Sequence, residues 1–500
     1  MKFGLPGQGM HLGLDPLSLF FILLLIPQIL PQIMTQARAP SLWVCILGML
    51  IALAGQDAFA LLFGLGLMSA GLFFASGLSP RQAKTTISFA MISNACLIPA
   101  VFLPAGGLAF ALVSAAAAAQ TLAVLYHPAR LPPLAGAIAN VAFYVLLRYA
   151  FIVFGAAAAP WWGLVIIAAA APLACFAALR AVLEVGLKTC LAWSTVTTAG
   201  LGLTAAGIAL YAKAINHPAL ATIAIDAALL TLLTHALCKP MLLLGAGVIE
   251  HATGTTSLDW LGGLMRGMPR LGMLMLLAAI AMAALPPGPG FAALWLLLHA
   301  TIAAATGGVP LRIFFTALIC LLGLTAALTL GAAARIIGIG FLGRPRTLRA
   351  AAAEEAPRRI LITMTIFGTA MLPIALVPGL VIRALAPVAS MLTAGAAPVP
   401  LAYAPLPLSV LMAIVAGAAW LLLRRFATPG TREVPAWNDG AGKPPAWLPF
   451  GDPATQPSAT GLSQPIFLTF APALQTLSAL RLPARSKLLR RRLLRPRSGR

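Results

Sequence analysis

Charge is scarce in this chain, and acid scarcest of all. Of its 500 residues, 11 are Asp or Glu against 33 Lys and Arg, and charged residues make up 9%. An ordinary soluble domain carries about a quarter, so that class is excluded. The six cysteines (Cys45, Cys96, Cys175, Cys190, Cys238 and Cys320) are scattered through apolar segments without a C-x-x-C pair. That spacing gives no support to zinc or iron–sulfur ligation, and the cysteines read as small buried hydrophobes. There is no G-x-G-x-x-G, Walker loop or haem motif, so the chain is expected to carry no cofactor and no redox or nucleotide site of its own. The short alternating segments of a membrane β-barrel are also missing. No basic stretch precedes the first strong apolar run, where Asp15 stands, and no cleavable leader is expected.

What the chain does have is apolar length. Hydrophobic residues make up 61% of it, and the mean hydropathy is +0.97. Runs that can span a bilayer recur from Leu14 to Leu423, enough for about twelve helices of roughly twenty residues each. The expected fold is all-α: a polytopic transmembrane helix bundle over residues 1–425, followed by a polar, basic extramembrane tail over 426–500. The net charge of +22 lies largely in loops and tail, where Lys and Arg set topology, so no nucleic-acid partner is expected. The last twenty residues hold nine Lys or Arg and no acid. Such an end favours the cytoplasmic side and contact with anionic membrane lipid, worth about 1 kcal/mol per basic residue near the surface.

One stretch organises the rest: His235-Ala-Leu-Cys-Lys-Pro-Met-Leu-Leu-Leu-Gly-Ala-Gly247. Lys239 sits inside a long apolar run with Pro240 directly after it, and proline removes a backbone donor from a helix. His235 and Lys239, at i and i+4, share one helix face. A cation at membrane depth faces a protein interior, a partner or a water-filled cavity. Lysine, histidine and a helix break together suggest a proton path; the alternative is a lysine that snorkels to the interface. A second break is expected at Pro286-Pro-Gly-Pro-Gly290, either lining a cavity or forming a loop between two shorter elements. Arg180, Glu184 and Lys188 form two i,i+4 pairs if their helix is continuous, and an interfacial cluster competes evenly with a place in an ion path. Asp226 lies nine residues before His235, roughly 13 Å along an unbroken helix and too far for contact. Asp15-Pro16 reads as a capped helix start. Arg148 is either a member of a buried pair or, the favoured reading, a residue near a helix end. Ile360–Leu385 reads as a single span.

Several of these stretches resemble the antiporter-like membrane subunits shared by complex I, multisubunit cation/proton antiporters and energy-converting hydrogenases. The resemblance rests on His235–Gly247, on His251-Ala-Thr-Gly-Thr255, on Leu258–Leu264, and on Glu184–Gly200 with its Leu187-Lys-Thr-Cys-Leu-Ala-Trp-Ser194. Leu285-Pro-Pro-Gly-Pro-Gly-Phe291 is similar to the family's second broken helix. Gly338–Arg346, Trp437 and Ser463-Gln464-Pro465 point to the hydrogenase branch. The resemblance implies a multi-pass protein of a bacterial inner membrane. It implies proton translocation coupled to electron transfer in a hydrogenase-type, formate hydrogenlyase-type or NADH:quinone-type complex. The redox chemistry would lie in peripheral iron–sulfur, hydrogenase-type or quinone-reductase-type subunits, beside other membrane subunits. Lys239 would be the central relay, His235 its exchange partner, and Lys188 and Glu184 groups near an access point. The chain also departs from the family pattern. Family glutamates read Gly66 and Leu294, a family lysine falls near Asn140, and the start and the region before Pro128 look shortened. A non-pumping structural subunit, or a cation/proton antiporter subunit, therefore stays open.

Overall fold

The computed structural model describes residues 11–36, 39–74, 80–125, 132–393, 405–426, 458, 459 and 461. Among them there is no β-strand, only two isolated bridges, Leu12 to Gly55 and Gly186 to Ser257. The chain is a multi-pass membrane protein built as an all-helical bundle. Among the described residues, eight helices are long and apolar enough to cross a membrane, and seven shorter apolar helices join them.

The first part runs α1 (Pro16–Gln36), α2 (Pro40–Ala54), α3 (Ala58–Phe73), α4 (Pro80–Phe102), α5 (Gly107–Leu125) and α6 (Pro132–Leu147). Then come α7 (Pro160–Leu183), α8 (Leu187–Ala214) and α9 (Pro218–Thr253). A four-residue α10 (Leu264–Gly267) precedes α11 (Pro269–Met282), α12 (Pro289–Ala304) and α13 (Val309–Gly340). A four-residue α14 (Leu348–Ala351) leads to α15 (Arg358–Leu376), α16 (Pro378–Thr393) and α17 (Pro405–Phe426).

The bundle is organised around α9. Its apolar span is 83% buried, whereas none of that of α17 is, which makes α9 the axis and α17 a peripheral helix. Around α9 stand α1, α6, α8, α11, α12, α15 and α16. Two devices set the limits of α9. The His217 side chain accepts from the Leu220 amide at its start, and Gly254 ends it with a left-handed φ of 72°. Neighbouring α8 is held close to α7 by a bare crossing. A Cβ on Gly163 would lie 2.4 Å from the Gly207 carbonyl oxygen, so only glycine permits this approach.

Three expectations about breaks meet different outcomes. Helix α9 runs uninterrupted through Pro240, so the break expected at Lys239 is not there. Proline withdraws one hydrogen bond from a long ladder whose other bonds, and the helices packed around it, hold the helix together. The break at Pro286-Pro287 is real: α11 ends at Met282, α12 starts at Pro289, and the Pro286-Pro287 peptide is cis. A break not expected divides Ile360–Leu385, because Pro378 has no amide hydrogen and α15 stops at Leu376 before α16 begins. Such divisions raise the helix count above the twelve read from hydropathy.

At one membrane face, α1, α2, α3 and α6 are tied by charge. Asp15 accepts from the Ser18 amide at 2.7 Å and forms an ion pair with Arg148, whose Nη2 donates to Gln56 Oε1 at 2.6 Å. Arg148 begins a π-helical turn, Arg148–Val153, at the end of α6. It is thus both near a helix end and a member of a partly buried pair. Asp57 caps α3 by accepting from the Ala60 amide at 2.6 Å.

Burial pushes the Asp15 carboxyl up, but the Ser18 amide and the Arg148 guanidinium outweigh it and hold it below the ordinary 3.8. A carboxyl depressed by folding contributes stability that is complete above its unfolded value and is lost as pH falls through the folded one. Asp15→Asn is therefore expected to weaken the loss of thermal stability on acidification below pH 3.8. An unchanged acid slope in a thermal-unfolding series would refute this.

Of the tail expected at 426–500, only Phe426, Ser458, Ala459 and Gly461 fall among the described residues. Trp437, Ser463-Gln464-Pro465 and the basic last twenty residues lie outside them. The cysteines are all unpaired. Cys45, Cys190 and Cys238 are buried as expected, whereas Cys320 is exposed and Cys96 and Cys175 are half-buried.

Candidate functional site

Helix α9 has 36 residues, about 54 Å at 1.5 Å per residue. His235 stands at its midpoint and Lys239 one turn further on. Both are buried, at 6% and 4% exposure, so Lys239 does not snorkel to an interface. Its ammonium donates to the Ser194 hydroxyl of α8. No carboxylate among the described residues pairs with it. A hydroxyl both donates and accepts, so Ser194 can hold the lysine nitrogen in either of its protonation states. A carboxylate would have favoured the charged state alone.

Ser194 in turn donates to the Leu191 carbonyl at 2.8 Å, and its own carbonyl accepts from Thr198 Oγ1 at 3.0 Å. Thr198 leads into a cavity of about 60 Å³ between α8, α9, the α11–α12 break and α13. Thr197, Thr231, Thr234, His235, Leu294 and Thr329 are among its walls. About 10–15 Å³ of such volume holds one water, so the space takes several. The hydroxyls of Thr197, Thr198, Thr231 and Thr329 donate to carbonyls one turn back on their own helices. Their oxygen lone pairs are thereby left as acceptors for the cavity. His235 Nε2 and Thr234 Oγ1 are buried without a partner. Their unmet hydrogen-bonding capacity, with the threonine oxygens, puts a small group of polar atoms into a pocket whose walls are otherwise mostly apolar.

His235 and Lys239 share the expected face but are not hydrogen-bonded to one another. Both alternatives for the break hold: it is a loop between two shorter helices, α11 and α12, and Ala283, Ala284 and Gly290 there line the cavity. Asp226 is buried at 2% exposure. Nine residues before His235, it is two and a half turns away and points to the opposite side of α9.

Lys188 and Glu184 lie elsewhere. The α7–α8 junction interrupts the helix at Glu184-Val185-Gly186, so Glu184 and Lys188 do not form the i,i+4 pair that a continuous helix would have given. Glu184 pairs with Arg180 at 2.7 Å, and Arg180 lies over the Trp193 ring at 5.4 Å. Lys188 pairs instead with Glu250 at 2.5 Å, joining the start of α8 to the end of α9. Glu250 is eleven residues beyond Lys239, about 16 Å along the axis. The four candidate residues therefore form two groups: a buried one at mid-helix, and a partly exposed one where α8 and α9 reach a membrane face.

Reasoning from the sequence missed Ser194 as the partner of Lys239, the threonine lining, and Arg335. The threonine signal was present. Ser194, Thr197 and Thr198 on α8, and Thr231 and Thr234 on α9, recur at helical spacing in apolar runs. Arg335 is fully buried in α13. It donates from Nε to the Ala459 carbonyl at 2.6 Å, from Nη2 to the Glu184 carbonyl at 2.8 Å, and from Nη1 to the Val182 carbonyl.

Residues 133–323 match the transmembrane family described as NADH:quinone oxidoreductase/Mrp antiporter. That range includes Ser194, His235, Lys239 and the α11–α12 break. The chain is 28% identical to hydrogenase-4 component B of Escherichia coli (strain K12), over 68% of this chain and 52% of that protein. It is 33% identical to formate hydrogenlyase subunit 3 of the same strain, over 39% of this chain and 33% of that one. It thus spans about half the length of the first relative and a third of the second. Among solved structures, a chain of the membrane-bound sulfane sulfur reductase, an archaeal respiratory membrane complex, superposes with a TM-score of 0.76. That likeness covers 95% of this chain and 83% of the other at 18% identity, which is a likeness of fold.

Proposed function

We propose that this chain, which belongs to the antiporter-like membrane subunit family through its residues 133–323, is a proton-translocating membrane subunit of a hydrogenase-type or NADH:quinone-type oxidoreductase complex in a bacterial inner membrane. The observation that carries the reading is Lys239: an amine buried at the middle of the central helix, held by a neutral hydroxyl beside a threonine-lined cavity. A group in that setting has the means to change protonation state, and the nearby cavity has room for water that could pass the proton on. His235, on the cavity wall, exchanges protons with Lys239 through water. Lys188 and Glu250 mark where the path reaches the membrane face, and Glu184 belongs to that rim. The relatives supply the kind of assembly. On this reading the electron transfer lies in partner subunits.

Purification from native membranes in mild detergent, with identification of every co-purifying chain, tests the assembly. Iron–sulfur and hydrogenase-like or quinone-reductase-like chains are expected. Recovery of small antiporter-type membrane subunits alone would move the assignment to cation/proton exchange.

A second reading, a non-pumping structural subunit, is favoured by one specific feature. Leu294 lines the cavity where the family resemblance implies a glutamate, and a Cβ on Gly66, the other such position, would meet nothing within 4 Å. Leucine cannot change charge, so the cavity carries one fewer proton station. Leu294→Glu places a carboxyl in the wall of the cavity that His235 also lines. On the proton-translocating reading it is expected to raise proton flux in proteoliposomes several-fold. No change in flux, with the carboxyl shown by infrared titration to ionise, favours the structural subunit.

A further inference from the structure

We propose that Gln28 of α1 and Gly136 and Asn140 of α6 form a second internal-water site at membrane depth, separate from the cavity at His235. The two amide side chains are buried, at 1% and 2% exposure. Neither the nitrogen nor the oxygen of the Gln28 amide has a hydrogen-bond partner, and neither does Asn140 Nδ2. An unmet buried donor or acceptor is destabilising, and a bundle that places three together is unusual unless something small and polar meets them.

The local geometry brings these groups together. Gly136 and Asn140 are one turn apart on one face of α6. The Gln28 amide lies directly over Gly136, where a Cβ would be 3.2 Å from its oxygen and 3.5 Å from its nitrogen. The missing side chain at Gly136 is thus what gives the amide its room. Pro27 and Pro31 lie inside α1 on either side of Gln28, and each lacks the amide hydrogen of a regular helix ladder. Unmet donors and acceptors on two facing helices match the two to four partners that a buried water takes.

Helix α1 contains no Asp, Glu, Lys, Arg or His. A water at this site therefore offers the α1–α6 layer a hydrogen-bonded station that involves no change in side-chain charge. The site stands whether or not Lys239 carries protons.

The test is a map of the full complex, in lipid, at a resolution that shows ordered water, for the wild type and for Gln28→Leu. Expected in the wild type is discrete density within hydrogen-bond reach of both Gln28 amide atoms and of Asn140 Nδ2. In Gln28→Leu that density is lost, while density in the cavity beside His235 remains. Direct pairing of the Gln28 and Asn140 amides with no intervening density would overturn the proposal, as would water that persists unchanged in Gln28→Leu. Should Gln28→Leu fail to assemble, the wild-type map decides on its own, and Asn140→Leu provides the second variant.

Discussion

Lys239→Ala is expected to lower proton translocation by the assembled complex about a hundredfold or more, the usual scale for loss of a positioned proton-transfer group. The argument rests on the place of the amine and on what holds it. Lys239 sits one turn from the midpoint of a helix that is itself the axis of the bundle, with the Ser194 hydroxyl as its partner. No carboxylate among the described residues is left unpaired by its removal, so the assembly is expected to keep its thermal stability. Lys239→Arg separates transfer from packing. Arginine keeps the charge and much of the stem but does not give up its proton in proteins. Both variants should therefore lose translocation, with subunit composition and melting behaviour close to wild type. Translocation surviving in either correctly assembled variant would remove Lys239 from the path and leave the structural-subunit reading in place.

The second large effect concerns stability. Arg335→Leu is expected to destabilise the bundle by about 3 kcal/mol or more, from about 1–3 kcal/mol for each buried acceptor left unmet. The Val182 and Glu184 carbonyls belong to the end of α7, where a helix has orphan acceptors. Arg335 satisfies both, and a cation at that end also meets the negative pole of the helix. The same guanidinium holds the Ala459 carbonyl at 2.6 Å, and Asp259 Oδ1 accepts the Ala459 amide at 2.6 Å. One residue of the tail is thus clasped against the α7–α8 junction by a cation on one side and an anion on the other. Arg335→Lys should not rescue, because an ammonium is a point charge without the planar fork that reaches several carbonyls at once. Asp259→Ala should cost less, since it frees a single amide. Detergent unfolding curves for the three variants decide the order. Full stability in Arg335→Lys would show that charge alone, and not the fork, secures the junction.

The amino-acid sequence by itself determined the membrane class, the all-helical fold and the identity of the central stretch. Those follow from long apolar runs and from single ionisable residues inside them, and both properties are local. It also located the α11–α12 break, because three prolines and two glycines in five residues cannot continue a helix in any surroundings. It misplaced the break at Pro240 and overlooked the one at Pro378, since one proline is tolerated or not according to what packs around it. Partners were a tertiary matter throughout. Lys188 is four residues from Glu184 in the chain, yet it pairs with Glu250, 62 positions away, because the turn at Val185-Gly186 redirects α8. Arg148 finds Asp15 across 133 positions and Arg335 finds Ala459 across 124. Lys239 finds a serine on the neighbouring helix, whose close contact with α7 depends on bare glycine. Whether a buried cation meets an acid, a carbonyl or a hydroxyl decides whether it fastens the fold or is free to change its charge. That choice is made by which helix faces lie against each other, and only the packed bundle fixes it.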